Sequence, residues 1–328
     1  MSAREIPVAA TVTVGHRAYF VRPRGDGYAA ISAEGEVTLL DSGLGVTGRL
    51  DLGGPVDDVA VAPDGTWAWV SGGRLWIGEP GRAEDAPLPG EAACRWQPSG
   101  RALWVAEGTG DQVRVEVRDR GHRVARQVTV PDPFGTSMVA VCEHPRDDAV
   151  VLWVAAGQDG QQSWLVTDDG TDLAAALLPA DDCLPALFGP DGDWFLAAGS
   201  ARLARFSWPE PAELGGLTWE EIDPEAAEDG HDGPGADLVL LPGGHASWST
   251  GNGRVRVIDV TTMSVVDEIT FAGHPLRTVA DLYPRLAGEE NLCTDFAFSA
   301  LGHGGAVVSV HGQGTLVLSA LRDWAPAR

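Results

Sequence analysis

Along this chain short runs of alternating apolar and polar residues are cut off by glycine and proline. Asp58-Val59-Ala60-Val61-Ala62 meets the turn signal Pro63-Asp64-Gly65, Thr66 to Ser71 alternates again, and Gly72-Gly73 leads into Arg74-Leu75-Trp76-Ile77. Alternation with a period of two, bounded by such turns, predicts strands joined by hairpins. The unit then returns. Trp69-Val70-Ser71-Gly72-Gly73 is echoed by Trp104-Val105-Ala106-Glu107-Gly108 and Trp153-Val154-Ala155-Ala156-Gly157. Phe195-Leu196-Ala197-Ala198-Gly199 and Trp248-Ser249-Thr250-Gly251-Asn252 continue the series. A repeat of roughly 35–60 residues made of short strands predicts an array of small sheets, with the aromatic rings filling the space between them.

The template divides the chain into seven units, at approximately 15–54, 55–90, 91–134, 135–181, 182–234, 235–290 and 291–328. The last unit lacks an outermost strand, and residues 6–14 form a strand with no unit of its own. Pairing the two leftovers would close the array into one ring and remove two exposed sheet edges. The expected fold is therefore all-β: a single domain forming a seven-bladed propeller of four-stranded antiparallel blades, with the N-terminal strand completing the last blade.

One unit carries a family resemblance. Gly253-Arg254-Val255-Arg256-Val257-Ile258-Asp259-Val260, the turn Thr261-Thr262-Met263 and Val265 to Phe271 end in Gly273-His274. A second Gly-His, Gly15-His16, ends the leading strand. This resembles a blade of the bacterial WD-repeat-like (WD40/YVTN-type) propellers, although Ile258-Asp259 and Leu40-Asp41 stand where that family has its Trp-Asp dipeptide. The resemblance implies a seven-bladed propeller, a fold that hosts scaffolds and enzymes alike.

Composition narrows the chemistry. A hydrophobic share of 44% suits a globular protein, and no apolar run reaches a membrane span. The N-terminus lacks the basic start and apolar core of a secretory signal, and the four widely spaced cysteines suggest neither a disulfide framework nor a zinc site. A cytoplasmic protein is expected. The net charge of −24 argues against nucleic-acid and membrane partners; solubility alone accounts for it, or a preference for a basic protein or peptide. All 23 basic residues are arginine, which removes Schiff-base and phosphate-loop lysine chemistry.

Candidate site residues come from two places. Aligned on the turns, Ala18, Asp58, Ala93, Ala140, Pro185, Asp237 and Asp295 open the inner strands. Asp58, Asp237 and Asp295 would then form an acidic channel mouth, or each would accept backbone N–H groups at its strand start. Two connections between units are long. Glu220 to Gly233 is acidic, lacks the spacing of a calcium loop and reads as a solvated loop. His274 to Asn291 includes a short predicted helix, Thr278 to Tyr283, with Arg277, Tyr283 and Arg285 around it, able to clamp a carboxylate or phosphate or to pack as a cap. No zinc-protease, nucleophile-elbow or dinucleotide motif is present, and no cofactor or metal is expected.

Two functions fit these observations. The first is a scaffold that binds a protein or peptide on the propeller rim. The alternative is a lyase, isomerase or hydrolase acting on a small molecule at the channel mouth, with Asp58, Asp237, Asp295, His274, Arg277 and Tyr283 as its acid–base candidates.

Overall fold

The computed structural model describes residues 3–133, 135, 138–155, 161–178, 183–199, 202–224, 238–241, 243–249, 255–274, 300–301, 306–311 and 314–320. A leader of two strands, β1 (Arg4–Ile6) and β2 (Val8–Thr13), precedes sheets laid down in chain order. The first sheet is β3 (Phe20–Arg24), β4 (Gly27–Ile31), β5 (Glu36–Leu40) and β6 (Val46–Asp51). The second is β7 (Asp58–Val61), β8 (Trp67–Ser71), β9 (Arg74–Gly78) and β10 (Glu84–Pro87). Then come β11 (Ala92–Trp96), β12 (Ala102–Gly108), β13 (Gln112–Asp119) and β14 (Val124–Pro131). The fourth sheet is β15 (Met138–Glu143), β16 (Ala149–Ala155), β17 (Gln161–Asp168) and β18 (Leu173–Leu177). The fifth is β19 (Cys183–Phe188), β20 (Trp194–Gly199), β21 (Arg202–Ser207) and β22 (Glu213–Thr218), followed by one helical turn, α1 (Trp219–Ile222). The chain continues through β23 (Leu238–Leu241), β24 (His245–Ser249), β25 (Val255–Asp259) and β26 (Ser264–Phe271), and then β27 (Ala300–Leu301), β28 (Ala306–His311) and β29 (Thr315–Ala320).

Each unit is a meander in which neighbouring strands run antiparallel, so the all-β expectation holds. The equal-blade expectation needs correction: among the described residues six sheets have four strands and one has five. The leader explains the difference, because it divides at Pro7, a residue with no N–H to give to a ladder. β2 pairs antiparallel with β29, Thr11 opposite Val317, and supplies that sheet's outer strand. β1 instead lies parallel to β26, with Arg4 opposite Ile269 and Ile6 opposite Phe271. The leader therefore stitches two neighbouring sheets rather than one.

First strands meet in sequence: β3 touches β7, β7 touches β11, and so on through β15, β19 and β23 to β27, which touches β3. The hydrophobic core is correspondingly divided into clusters between adjacent sheets. Trp67 and Trp69 point back onto Ile31 and Val37 of the first sheet, while Ala68 and Val70 on the opposite face of β8 meet Leu103 and Val105 of the third. Leu316 and Leu318 pack with Val21 and Tyr28, joining the last sheet to the first. Trp67 and Trp104 are fully buried, and cutting a buried indole back to alanine typically costs about 3–5 kcal/mol. At the recurrent aromatic position Trp69, Trp104, Phe195 and Trp248 fill the space between sheets, whereas Trp153 is only half-buried.

Arginines add polar ties across the same gaps. Arg120 donates to the Asp64 carboxylate at 2.7 Å, to Thr66 Oγ1 at 3.2 Å and to the carbonyl of Gly100 at 2.6 Å. The hydrogen bond from Arg120 is the main reason the Asp64 carboxyl titrates below its ordinary range. Arg126 reaches Asp168 at 2.5 Å, and Arg205 reaches the carbonyl of Val260 at 3.2 Å. His144 performs the same service between β15 and β19. Its Nδ1 accepts from the backbone N–H of Asp147 at 2.7 Å, and its Nε2 lies 2.8 Å from the carbonyl of Gly192. Gly192 has φ +78°, and a Cβ there would stand 2.4 Å from His144 Nε2, so only glycine fits.

The acidic connection after β22 begins differently from the expected solvated loop. Thr218 and Glu221 form a capping box, and Trp219 and Ile222 bury themselves in the core between the fifth and sixth sheets. Asp223 is fully buried and pairs with Arg256 at 3.3 Å. Residues 225–233 of that connection, and residues 275–291 of the second one, lie outside the described residues.

Candidate functional site

Six of the first strands, β3, β7, β11, β15, β19 and β23, surround a cavity of about 760 Å³. Its wall has two characters. On the side of β3, β11 and β15 it carries Arg22, Arg95 and Glu143; on the side of β19 and β23 it carries Leu187, Leu238, Val239 and Leu240. A pocket of this size with an apolar wall and a few convergent polar groups is the usual form of a small-molecule site.

The charged half is a ladder with one residue from each of four consecutive sheets. Asp58 opens β7 and is 7% exposed. Its carboxylate accepts from its own neighbour Val59 N at 2.9 Å, from Cys94 N on the next sheet at 2.9 Å and from Arg95 Nη1 at 2.6 Å. Arg95 also donates to the carbonyl of Cys94 at 2.6 Å, and its Nε lies 3.4 Å from Glu143 Oε2. Burial opposes the charge on Arg95, but Asp58 and Glu143 more than offset it and raise its pKa. Arg22 stands at the other end of the ladder. Its Nε donates to the carbonyl of Val59 at 3.1 Å, its guanidinium lies over the Phe20 ring at 5.1 Å, and its Nη2 is 3.9 Å from Asp58. Burial, followed by the nearby charge of Arg95, lowers the Arg22 pKa. The ladder therefore compensates Arg95 on both sides and Arg22 only weakly.

Two thiols flank this ladder. Cys94 is fully buried and donates to the carbonyl of Ala68, and burial, reinforced by Asp58, pushes its pKa up. Cys142 lines the cavity, and burial with Glu143 beside it pushes its thiol up to about 12. Neither is poised as a nucleophile, because the thiolate is the reactive form.

Of the candidate site residues Asp58, Asp237, Asp295, His274, Arg277, Tyr283 and Arg285, Asp58 and His274 fall among the described residues. Asp58 is bonded within the fold, in the backbone-accepting arrangement that the sequence left open beside the acidic mouth. His274 lies elsewhere: its Nε2 is 3.3 Å from Thr11 Oγ1 in the leader, and its backbone N–H donates to the carbonyl of Phe271 at 2.9 Å. Asp237, Asp295, Arg277, Tyr283 and Arg285 lie outside the described residues. The turn-based register also shifts by one residue. Asp58 pairs with Val70, and the positions paired with the corresponding valines are Cys94 and Val139, not Ala93 and Ala140. Arg22, Arg95 and Glu143 went unnoticed in the sequence. Their signal was a single charge inside an apolar strand: Val21-Arg22-Pro23, Cys94-Arg95-Trp96 and Cys142-Glu143-His144. Among the described residues no three His, Cys, Asp or Glu side chains gather into a metal site, and no helix is long and apolar enough to cross a membrane.

No protein-family model matches the chain, and no curated protein matches it in sequence. Among solved structures it is similar to the Cps50 (Swd1) beta-propeller domain of Myceliophteria thermophila, with a TM-score of 0.65 and 12% identity over 97% of this chain and 99% of that one. Together with the sheet order, this likeness shows that the chain is a β-propeller built from four-stranded antiparallel blades.

Proposed function

We propose that the chain is a seven-bladed propeller of the WD-repeat-like kind, acting in the cytoplasm as a scaffold that docks a protein or peptide on its rim. The whole-chain likeness to the Swd1 propeller domain is the observation that carries this reading. The seven-bladed count is supported by the cycle of first-strand contacts that returns from β27 to β3, with the five-stranded sheet counted as the sixth blade. Rim docking is supported by Tyr19, 54% exposed just before β3, and Met138, 44% exposed at the start of β15. Both stand at the end where the first strands begin. The other large apolar side chains exposed among the described residues, Val46, Val124, Leu177 and Leu214, lie on outer strands. With a net charge of −24, the matching partner is basic. The acid–base alternative has less behind it, since Asp58 already makes three bonds within the fold.

The test is quantitative capture from the native host at low ionic strength, comparing the full chain with a Tyr19→Glu, Met138→Glu variant of unchanged circular dichroism. The expected result is one stoichiometric basic partner, lost in the variant and released by salt. No partner, or equal capture by both proteins, would remove the rim from the account.

A further inference from the structure

The divided wall of the axial cavity has a consequence separate from any docking on the rim. Arg22 is the one charged residue of the ladder whose carboxylate neighbour stands beyond hydrogen-bond range, at 3.9 Å. Its side chain is 27% exposed and lines the cavity, and among the described residues only its Nε has a strong acceptor, the Val59 carbonyl. The guanidinium fork is therefore available to a planar, bidentate acceptor, which is the geometry of a carboxylate. Arg95 offers nothing comparable, because Asp58 and Glu143 hold it from both sides. Facing this charged side, Leu187, Leu238, Val239 and Leu240 are each only partly buried by the protein itself, leaving apolar surface turned to the cavity. A ligand satisfying both sides carries one negative charge and an apolar body.

We propose that the cavity binds a small organic monocarboxylate, with its carboxylate on Arg22 and its apolar body against Leu187, Leu238 and Leu240. Burial and Arg95 both oppose the charge on Arg22, and such an anion would offset them. The cavity volume of about 760 Å³ accommodates a molecule of eight to ten carbon atoms with bound water. A cation would instead have to approach Glu143, whose carboxylate faces the Arg95 guanidinium.

Three probes with the same tail separate head-group chemistry from simple greasiness: octanoate, octanamide and octylammonium. Isothermal titration of the full chain at low ionic strength is expected to show octanoate binding at least about tenfold more tightly than octanamide, as a charge-assisted pair requires, with octylammonium weakest. In Arg22→Gln, which keeps a donor for the Val59 carbonyl, octanoate falls to the level of octanamide, while Arg22→Lys retains part of the preference. Leu240→Asn weakens octanoate and octanamide together. The proposal is overturned if none of the probes binds, if octylammonium equals octanoate, or if the octanoate preference survives in Arg22→Gln. The head-group comparison uses only the unaltered protein, so it decides the matter even if a variant fails to fold. Its outcome does not depend on whether a protein partner exists.

Discussion

In sequence Asp58 reads either as a channel carboxylate or as a backbone acceptor, and its surroundings explain why it is better understood as a joint. One oxygen takes the N–H of Cys94 and the guanidinium of Arg95, both on the next sheet, so a single side chain fixes the spacing of β7 and β11. Removing it leaves a buried N–H without its acceptor and a largely buried arginine with Glu143 as its remaining carboxylate. Breaking one side of a buried pair is costly for that reason, so Asp58→Ala is expected to lower unfolding free energy by about 3 kcal/mol in urea titrations. A loss under about 1 kcal/mol would mean that the joint contributes little beyond packing. The residues beside it were not legible in advance. A lone arginine in an apolar strand looks the same in sequence whether it faces water, a carboxylate or a cavity. Only the contact between sheets tells Arg22 from Arg95.

At the scale of the element, the turn between third and outer strands is capped by one recurring device. Asp41 Oδ1 accepts from Gly43 N at 2.9 Å and Gly45 N at 2.7 Å, and Asp259 Oδ1 accepts from Thr261 N at 2.8 Å and Thr262 N at 3.1 Å. Asp119 and Asp169 do the same in the third and fourth sheets, and Ser207 Oγ takes the N–H of Ala212 in the fifth. Hydrogen bonds from these backbone N–H groups favour the charged carboxyl and hold Asp119 and Asp169 below their ordinary titration range. The sequence showed two of these aspartates, Asp41 and Asp259, at the position where WD-repeat blades carry Trp-Asp. It hid the others because the preceding residue varies: Arg118, Asp168 and Phe206 precede Asp119, Asp169 and Ser207. Asp41→Ala should destabilise by about 1 kcal/mol, read as a shift of the urea midpoint, while Asp41→Asn retains most of the stability because its side-chain oxygen still accepts. An unchanged midpoint in Asp41→Ala would show that the turn holds without its cap. Strands and turns were legible because alternation and glycine report local geometry. Helix α1 was not, because the acidic Glu220 and Glu221 conceal the two buried residues, Trp219 and Ile222, that flank them.

Across the whole molecule, the arrangement answers two features of the sequence. The exclusive use of arginine suits sheets that must be tied sideways, since one fork can bond several acceptors at once, as Arg120 does with Asp64, Thr66 and Gly100. The other feature is the leader, whose length matched the strand missing from the last unit. Sequence led to its pairing with β29 but not to the second attachment of β1 on β26, because three residues before a proline carry too little pattern to assign. Closing a sheet with the far end of the chain makes the first and last elements mutually dependent. It also covers edges that would otherwise recruit other strands.

That dependence is the central claim, and backbone hydrogen exchange followed by mass spectrometry tests it most directly. The amides of residues 8–13 are expected to be protected like those of residues 315–320, and both segments to open together as denaturant is raised. Exchange of residues 8–13 at free-chain rates, with 315–320 still protected, would contradict the closed ring and everything placed within it.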